Sequence, residues 1–275
     1  MRCLSKAFLF KSQSVAGVAD FRFPSSRFGI GSRKIVPFNP SSSILSFRCR
    51  QFSSPALTTS IEDHHAGDSL IKGLENVLLG YVMGKTKATT VTHVLWSRIL
   101  QKGDTAIDAT CGNGNDTLAL LKMATDESGS GRVLGIDIQI RAIEQTSSLL
   151  NAYVSPKQKE AVKLFHMCHS RMEEIISADD TVRLVAFNLG YLPSGDKSIT
   201  TASETTIKAL EAATRVLAPG GLISLVVYVG HPGGREELNS VEAFASGLSV
   251  ENWNCSKFQM LNRPLAPVIV LILKR

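Results

Sequence analysis

Ten consecutive residues, Asp108-Ala109-Thr110-Cys111-Gly112-Asn113-Gly114-Asn115-Asp116-Thr117, combine two glycines, two carboxamides and two carboxylates. Gly112 and Gly114 remove the side chains that would hold a ligand away from the backbone. Asp116 or Thr117 can cap a helix that follows. Asp108 sets a carboxylate where a cationic ammonium would be stabilised. A dinucleotide site asks for G-x-G-x-x-G, with backbone N–H groups facing a pyrophosphate. Here Thr117 stands where the third glycine would be, and Asp108 and Asp116 would repel a pyrophosphate. The loop therefore favours S-adenosylmethionine, which has no phosphate and carries both a sulfonium and an ammonium.

Two further segments suit the same nucleoside. In Gly135-Ile136-Asp137-Ile138-Gln139, Asp137 is placed to accept hydrogen bonds from ribose hydroxyls, and Gln139 to reach the ribose or the base edge. Cys168-His169-Ser170 opens a helix where such enzymes hold adenine; a lone histidine there is as readily structural as a contact. A different chemistry is written in Phe187-Asn188-Leu189-Gly190-Tyr191-Leu192-Pro193. A polar residue, then a small one, Gly190, then an aromatic resembles the Asn-Pro-Pro-Tyr motif of amino-group methyltransferases. The Asn188 oxygen and the Leu189 carbonyl can hold the N–H protons of an amine while its lone pair faces the methyl carbon, and Tyr191 packs on the base. Leu and Gly replace the two prolines, and a buried strand ending in a glycine turn is the plainer reading. Lys197 and Arg235 are candidate phosphate contacts, and His231 is a candidate proton relay.

These residues need a scaffold. Residues 70–83 and 90–100 read as helices. After Gly103, short apolar strands at 105–110, 132–138, 162–167, 182–189 and 221–230 alternate with helices at 116–124, 141–153, 171–177, 203–217 and 235–246. Strands at 253–260 and 267–274 close the chain with a short turn between them. Strict alternation means a mostly parallel sheet with helices on both faces. The last two strands imply a hairpin, and with it an antiparallel strand at the sheet edge. Six or seven strands in this order resemble the Rossmann-like methyltransferase fold.

The chain of 275 residues carries 30 Lys and Arg against 24 Asp and Glu, a net charge of +6. Residues 1–60 alone are +8, with 13 Ser and a single acid, Asp20, whereas residues 61–275 are −2. The basic excess thus belongs to the first segment and does not argue that the body binds nucleic acid through its overall charge. Basic, Ser-rich and almost acid-free is the composition of a disordered organelle transit peptide, and it fits mitochondrial and chloroplast import alike. A disordered basic tail is the alternative. No apolar run approaches the roughly 20 residues that cross a bilayer. Cys111, Cys168 and Cys255 show no metal-ligand spacing, so neither a metal site nor membrane insertion is expected.

Taken together, residues 108–117, 135–139, 187–193, 195–197 and 230–237 resemble a bacterial-type family once labelled rRNA methylase and later assigned as tRNA 5-(aminomethyl)-2-thiouridine methyltransferase. The resemblance spans roughly residues 70–275. It implies a methyltransferase domain over 61–275 and methylation of the aminomethyl nitrogen of the wobble uridine, with S-adenosylmethionine as cofactor and the tRNA anticodon stem-loop as partner. It further implies that Asn113, Asn115, Asp137, Gln139 and His169 contact the cofactor, and that Asn188 and Tyr191 face the nucleobase. Residues 262–267 depart from the family's paired prolines. An rRNA or small-molecule methyltransferase, a nicotinamide-dependent oxidoreductase and a noncatalytic RNA-binding protein are the alternatives. Oligomeric state is not encoded in any of these motifs.

Overall fold

The computed structural model describes residues 73–126, 129–177, 180–193 and 195–275. The transit-peptide expectation for residues 1–60, and the start of the first expected helix, lie outside the described residues. Helices α1 (Leu74–Val82) and α2 (Ala88–Ile99) precede an alternation of β1 (Thr105–Asp108), α3 (Asn115–Ala124), β2 (Arg132–Asp137) and α4 (Ile140–Tyr153). Next come α5 (Pro156–Glu160), β3 (Val162–His166), a 3-10 segment (His169–Ile175), β4 (Val182–Leu189) and α6 (Ser203–Val216). The chain ends with β5 (Leu217–Val227), α7 (Gly234–Ser246), β6 (Trp253–Phe258) and β7 (Val268–Lys274). Only α5 has no counterpart in the sequence expectations, although Ser155 and Gln158 form a capping box with Pro156 at the first helical position.

The strands form one seven-stranded sheet in the order β3-β2-β1-β4-β5-β7-β6. β1 to β5 are parallel, and β7 pairs antiparallel with β5 on one side and β6 on the other. The antiparallel strand is therefore one place in from the edge, not at the edge as the sequence order implied. Composition explains the swap. β7 reads Val-Ile-Val-Leu-Ile-Leu-Lys and needs cover on both faces, whereas Asn254, Ser256 and Lys257 make β6 fit for solvent.

Successive side chains of each strand feed opposite faces. Ile107, Val185, Phe187, Leu225 and Val270 pack under α6, α7 and the 3-10 segment, with Leu210, Val241 and Met172 fully or nearly buried there. Ala106, Val133, Leu184 and Leu222 meet Trp96, Leu120 and Leu150 on the other face. A third cluster joins Tyr81, Ala88 and Val91 of the first two helices to Val226 and Ile269. The chain order reverses between β1 and β4, which is where an open parallel sheet leaves a crevice beyond its strand ends. Among the described residues no helix is long and apolar enough to cross a membrane.

Candidate active site

A cavity of about 830 Å3 opens at that reversal point. Its floor is the loop after β1. The Ala109 N–H donates to the Ala186 carbonyl and the Cys111 N–H to the Ile136 carbonyl, both at 2.9 Å, so the loop is pinned to its two neighbouring strands. Gly112 and Gly114 have φ of +50° and +83°, and a Cβ on Gly114 would stand 2.8 Å from the Thr146 Cα. Both the turn and the contact with α4 thus require glycine. Gly114 is also the α3 cap, without a side-chain cap bond. The expected capping by Asp116 or Thr117 is not seen, because both residues lie within the helix and are used elsewhere.

Asp108 does not reach the cavity. It is fully buried behind the loop, accepting from the Thr117 hydroxyl at 2.6 Å and from the Thr110 N–H at 3.3 Å. Thr117, where a dinucleotide fold would have its third glycine, is therefore committed to this carboxyl. Burial, then the nearby Asp116 carboxylate, pushes Asp108 up to about 7. Asp137 does line the cavity and accepts the Gly112 N–H at 3.0 Å and the Gln139 N–H at 2.9 Å. Burial raises its pKa against the lowering effect of those two bonds. Gly112, Asn113, Asn115, Asp116, Gln139 and Cys168 also line the space; Gly114 does not.

His169, 8% exposed, is hydrogen-bonded to the Ala109 backbone and sets its ring edge toward Phe187, 5.9 Å between centroids. Burial lowers its pKa to about 4, so the ring is neutral at physiological pH. Its Nε2 is buried without a partner among the described residues.

On the acceptor side, Asp116 organises the wall. Its Oδ1 accepts from His93 Nε2 at 2.7 Å, and its Oδ2 accepts from the Asn188 amide nitrogen. A carboxylate only accepts, so Asn188 offers its nitrogen there and its Oδ1 remains an acceptor. That oxygen is buried and has no partner among the described residues. The Leu189 carbonyl, expected to hold a second amine proton, already accepts from the Tyr228 N–H at 2.9 Å. One lone pair is left to it. Gly190, Tyr191 and His231 line the same space, the Tyr191 and His231 rings meeting edge to face at 6.0 Å. Lys197 is outside the lining and lies 5.7 Å over the Tyr191 ring. Arg235 is also outside and donates to the Pro264 carbonyl at 2.7 Å.

Sequence reasoning missed His93, Thr89 and Tyr228, all of which line the cavity. Thr89 and His93 are four apart on α2, a polar pair beside the apolar stripe, which was the available signal. Thr200, Thr201 and Thr205 line the cavity as well. The hydroxyls of Thr201, in the loop after β4, and Thr206, in α6, donate to the buried Glu237 at 2.7 and 2.6 Å, fastening both to α7. Asp116 and Asp137 line the cavity, and among the described residues no Lys or Arg does. Among the described residues no cluster of three or more His, Cys, Asp or Glu could hold a metal ion.

Sheet order and crevice define the class: a Rossmann-like methyltransferase architecture. A family model described as "Putative rRNA methylase" matches residues 133–274, and the chain belongs to that family. It is 63% identical over 213 residues to the chloroplastic tRNA (mnm5s2U34)-methyltransferase of Arabidopsis thaliana, covering 77% of this chain and 78% of that one. Among solved structures, a "putative rRNA-methylase" from Clostridium thermocellum is 37% identical with a TM-score of 0.64, over 69% of this chain and 98% of that one. A "putative methyltransferase" from Streptococcus mutans, solved in complex with SAH, is 30% identical with a TM-score of 0.61, over 69% and 99%.

Proposed function

We propose that this chain methylates the exocyclic aminomethyl nitrogen of 5-aminomethyl-2-thiouridine at the wobble position of an organellar tRNA, using S-adenosylmethionine. The observation that carries the reading is the Asn188 side chain in the cavity wall, whose nitrogen is taken by Asp116, so that its Oδ1 is left as an acceptor with no partner among the described residues. An acceptor at that point selects a substrate with an N–H to give. The name of the Arabidopsis relative supports a tRNA wobble substrate and an organellar location.

The residues present fit the cofactor. A lining with two carboxylates and no Lys or Arg suits a cation and disfavours a pyrophosphate. Asp137, already oriented by two backbone N–H groups, would take the ribose hydroxyls, with Gln139 beside it. The unpartnered His169 Nε2 would receive an N–H of the adenine edge. Bound there, S-adenosylmethionine supplies an electrophilic methyl carbon on a sulfonium. The protein's part is to orient: Asn188 Oδ1 holds one amine proton, which fixes the lone-pair direction, and Tyr191 packs on the base. An aminomethyl group is largely protonated at neutral pH and must lose a proton before attack. Asp116, bonded to both His93 and Asn188, is the carboxylate in direct contact with the residue that holds the amine.

The test is methyl transfer by the full chain to tRNA carrying aminomethyl-thiouridine, read by nucleoside mass spectrometry, beside unmodified transcript and ribosomal RNA. Product is expected only on the aminomethyl uridine. Equal labelling of transcript or rRNA would replace this reading with a broader RNA methyltransferase.

A further inference from the structure

A second hollow of about 250 Å3 adjoins the first and shares Thr89 and Tyr228 with it. We infer that it is a phosphate subsite, formed by the N-terminus of α2, Lys87, Arg263 and the Tyr81 hydroxyl, that holds a backbone phosphodiester of the RNA beside the target nucleotide. This rests on the RNA reading above.

Three kinds of donor converge there. α2 is 12 residues long, its cap Lys87 is extended with no side-chain cap bond, and Ala88 and Thr89 of its first turn line the hollow. First-turn N–H groups have no partner inside a helix and favour anions. Lys87 and Arg263 also line it, and no carboxylate does. The Arg263 guanidinium lies against Gly84, where a Cβ would stand 2.7 Å from both of its terminal nitrogens. Arg235 holds the adjoining Pro264 carbonyl and so steadies the Arg263 loop. Independently of charge, Tyr81 is only 8% exposed, lines the hollow and has a hydroxyl with no partner among the described residues. A buried hydroxyl left so is costly unless a ligand satisfies it.

The occupant follows from position. S-adenosylmethionine has no phosphate, so the anion belongs to the methyl acceptor. A hollow continuous with the acceptor wall at Tyr228 is where the backbone of an extruded nucleotide would run. The −2 charge of residues 61–275 makes such a local cluster necessary, because the body's overall field gives RNA no attraction.

The experiment compares full-length wild type with Lys87→Gln, Arg263→Gln and Arg263→Lys, all carrying the same N-terminal segment. Binding of an anticodon stem-loop RNA is followed by fluorescence anisotropy across salt concentrations, alongside SAH affinity and methyl-transfer kinetics. Each Gln variant is expected to weaken RNA binding about 5–10-fold and to lower the slope of log affinity against log salt by at most about 0.7, the value for one single-strand phosphate contact. Arg263→Lys should keep the slope, and kcat and SAH affinity should not change. Unaltered RNA affinity and slope in both Gln variants overturns the subsite, as does a parallel loss of SAH affinity. If the RNA effects appear but no aminomethyl uridine is methylated, the subsite stands and the substrate reading falls. A wild type that binds no RNA overturns the subsite.

Discussion

Asp108 shows how a residue can serve a site without entering it. The folded chain holds its carboxyl at about 7, mainly through burial and then through Asp116. In the unfolded chain an aspartate ionises near about 3.9. Between those values the folded state keeps a proton that the unfolded state has lost, so stability falls as pH rises through this window and levels off above it. Asp108→Asn cannot ionise and is expected to flatten that slope. Thermal unfolding of both proteins from about pH 4 to about pH 8 checks it, and parallel curves would refute it. Asp137 and His93 separate the two halves of the cavity. Asp137→Ala should weaken SAH binding by roughly 1–3 kcal/mol in calorimetry, the scale of hydrogen bonds to a charged group. His93→Ala removes one of the two donors that orient Asp116. It is expected to lower kcat about tenfold while leaving SAH affinity intact, with His93→Gln restoring most of the rate. A fall in SAH affinity matching the fall in kcat would make His93 merely structural.

At the level of elements, the loop after β4 depends on α7 through one buried carboxylate. Glu237 is 1% exposed and receives both the Thr201 and the Thr206 hydroxyls. Glu237→Ala leaves two hydroxyls unpaired at a cost of about 1–3 kcal/mol. Because Thr200, Thr201 and Thr205 line the cavity, KM for the RNA should rise more than Kd for SAH. Equal shifts in both would mean that the clamp supports the whole fold. This clamp joins residues 36 and 31 apart in sequence, and so no local pattern announced it. The parallel strands β1, β2, β4 and β5 were legible as short, mostly apolar runs between turn residues, and β4 falls on its expected residues 182–189. Helix caps were less so: Gly114 caps α3 by its left-handed φ, a role the nearby Asp116 and Thr117 disguised. The place of β7 was hidden in chain order but present in composition, since an all-apolar strand following a polar one belongs inside it. Asp137 and Gln139 were found because they stand at and just after the carboxyl end of β2, and Asn188 because it stands at that of β4. His93 was missed because its role is set by where α2 docks.

That docking is a property of the whole molecule. α1 and α2 precede the first strand, yet they bring Thr89 and His93 to the large cavity and Tyr81 and Lys87 to the small one. They are held over the far half of the sheet by Tyr81, Ala88 and Val91 packed on Val226 of β5 and Ile269 of β7. The Asp137 and His169 side of the large cavity is built instead from β2 and the segment after β3. The start of α2 and the Asp137 side therefore rest on different packing, while Trp96 near the end of α2 joins the cluster of Ala106, Val133 and Leu184. Ile269 is wholly buried in the cluster under the helices, and Ile269→Ala should cost about 2–5 kcal/mol of global stability. Below the unfolding transition, a looser seat for α2 should misplace His93 and Lys87 together. Turnover and RNA affinity are then expected to fall in the folded variant while SAH affinity holds. Chemical denaturation measures the first effect, and anisotropy and calorimetry on the folded protein measure the others. If SAH affinity dropped in step with RNA affinity, the sheet would have to act as one rigid unit, and the division of labour between its halves would be lost.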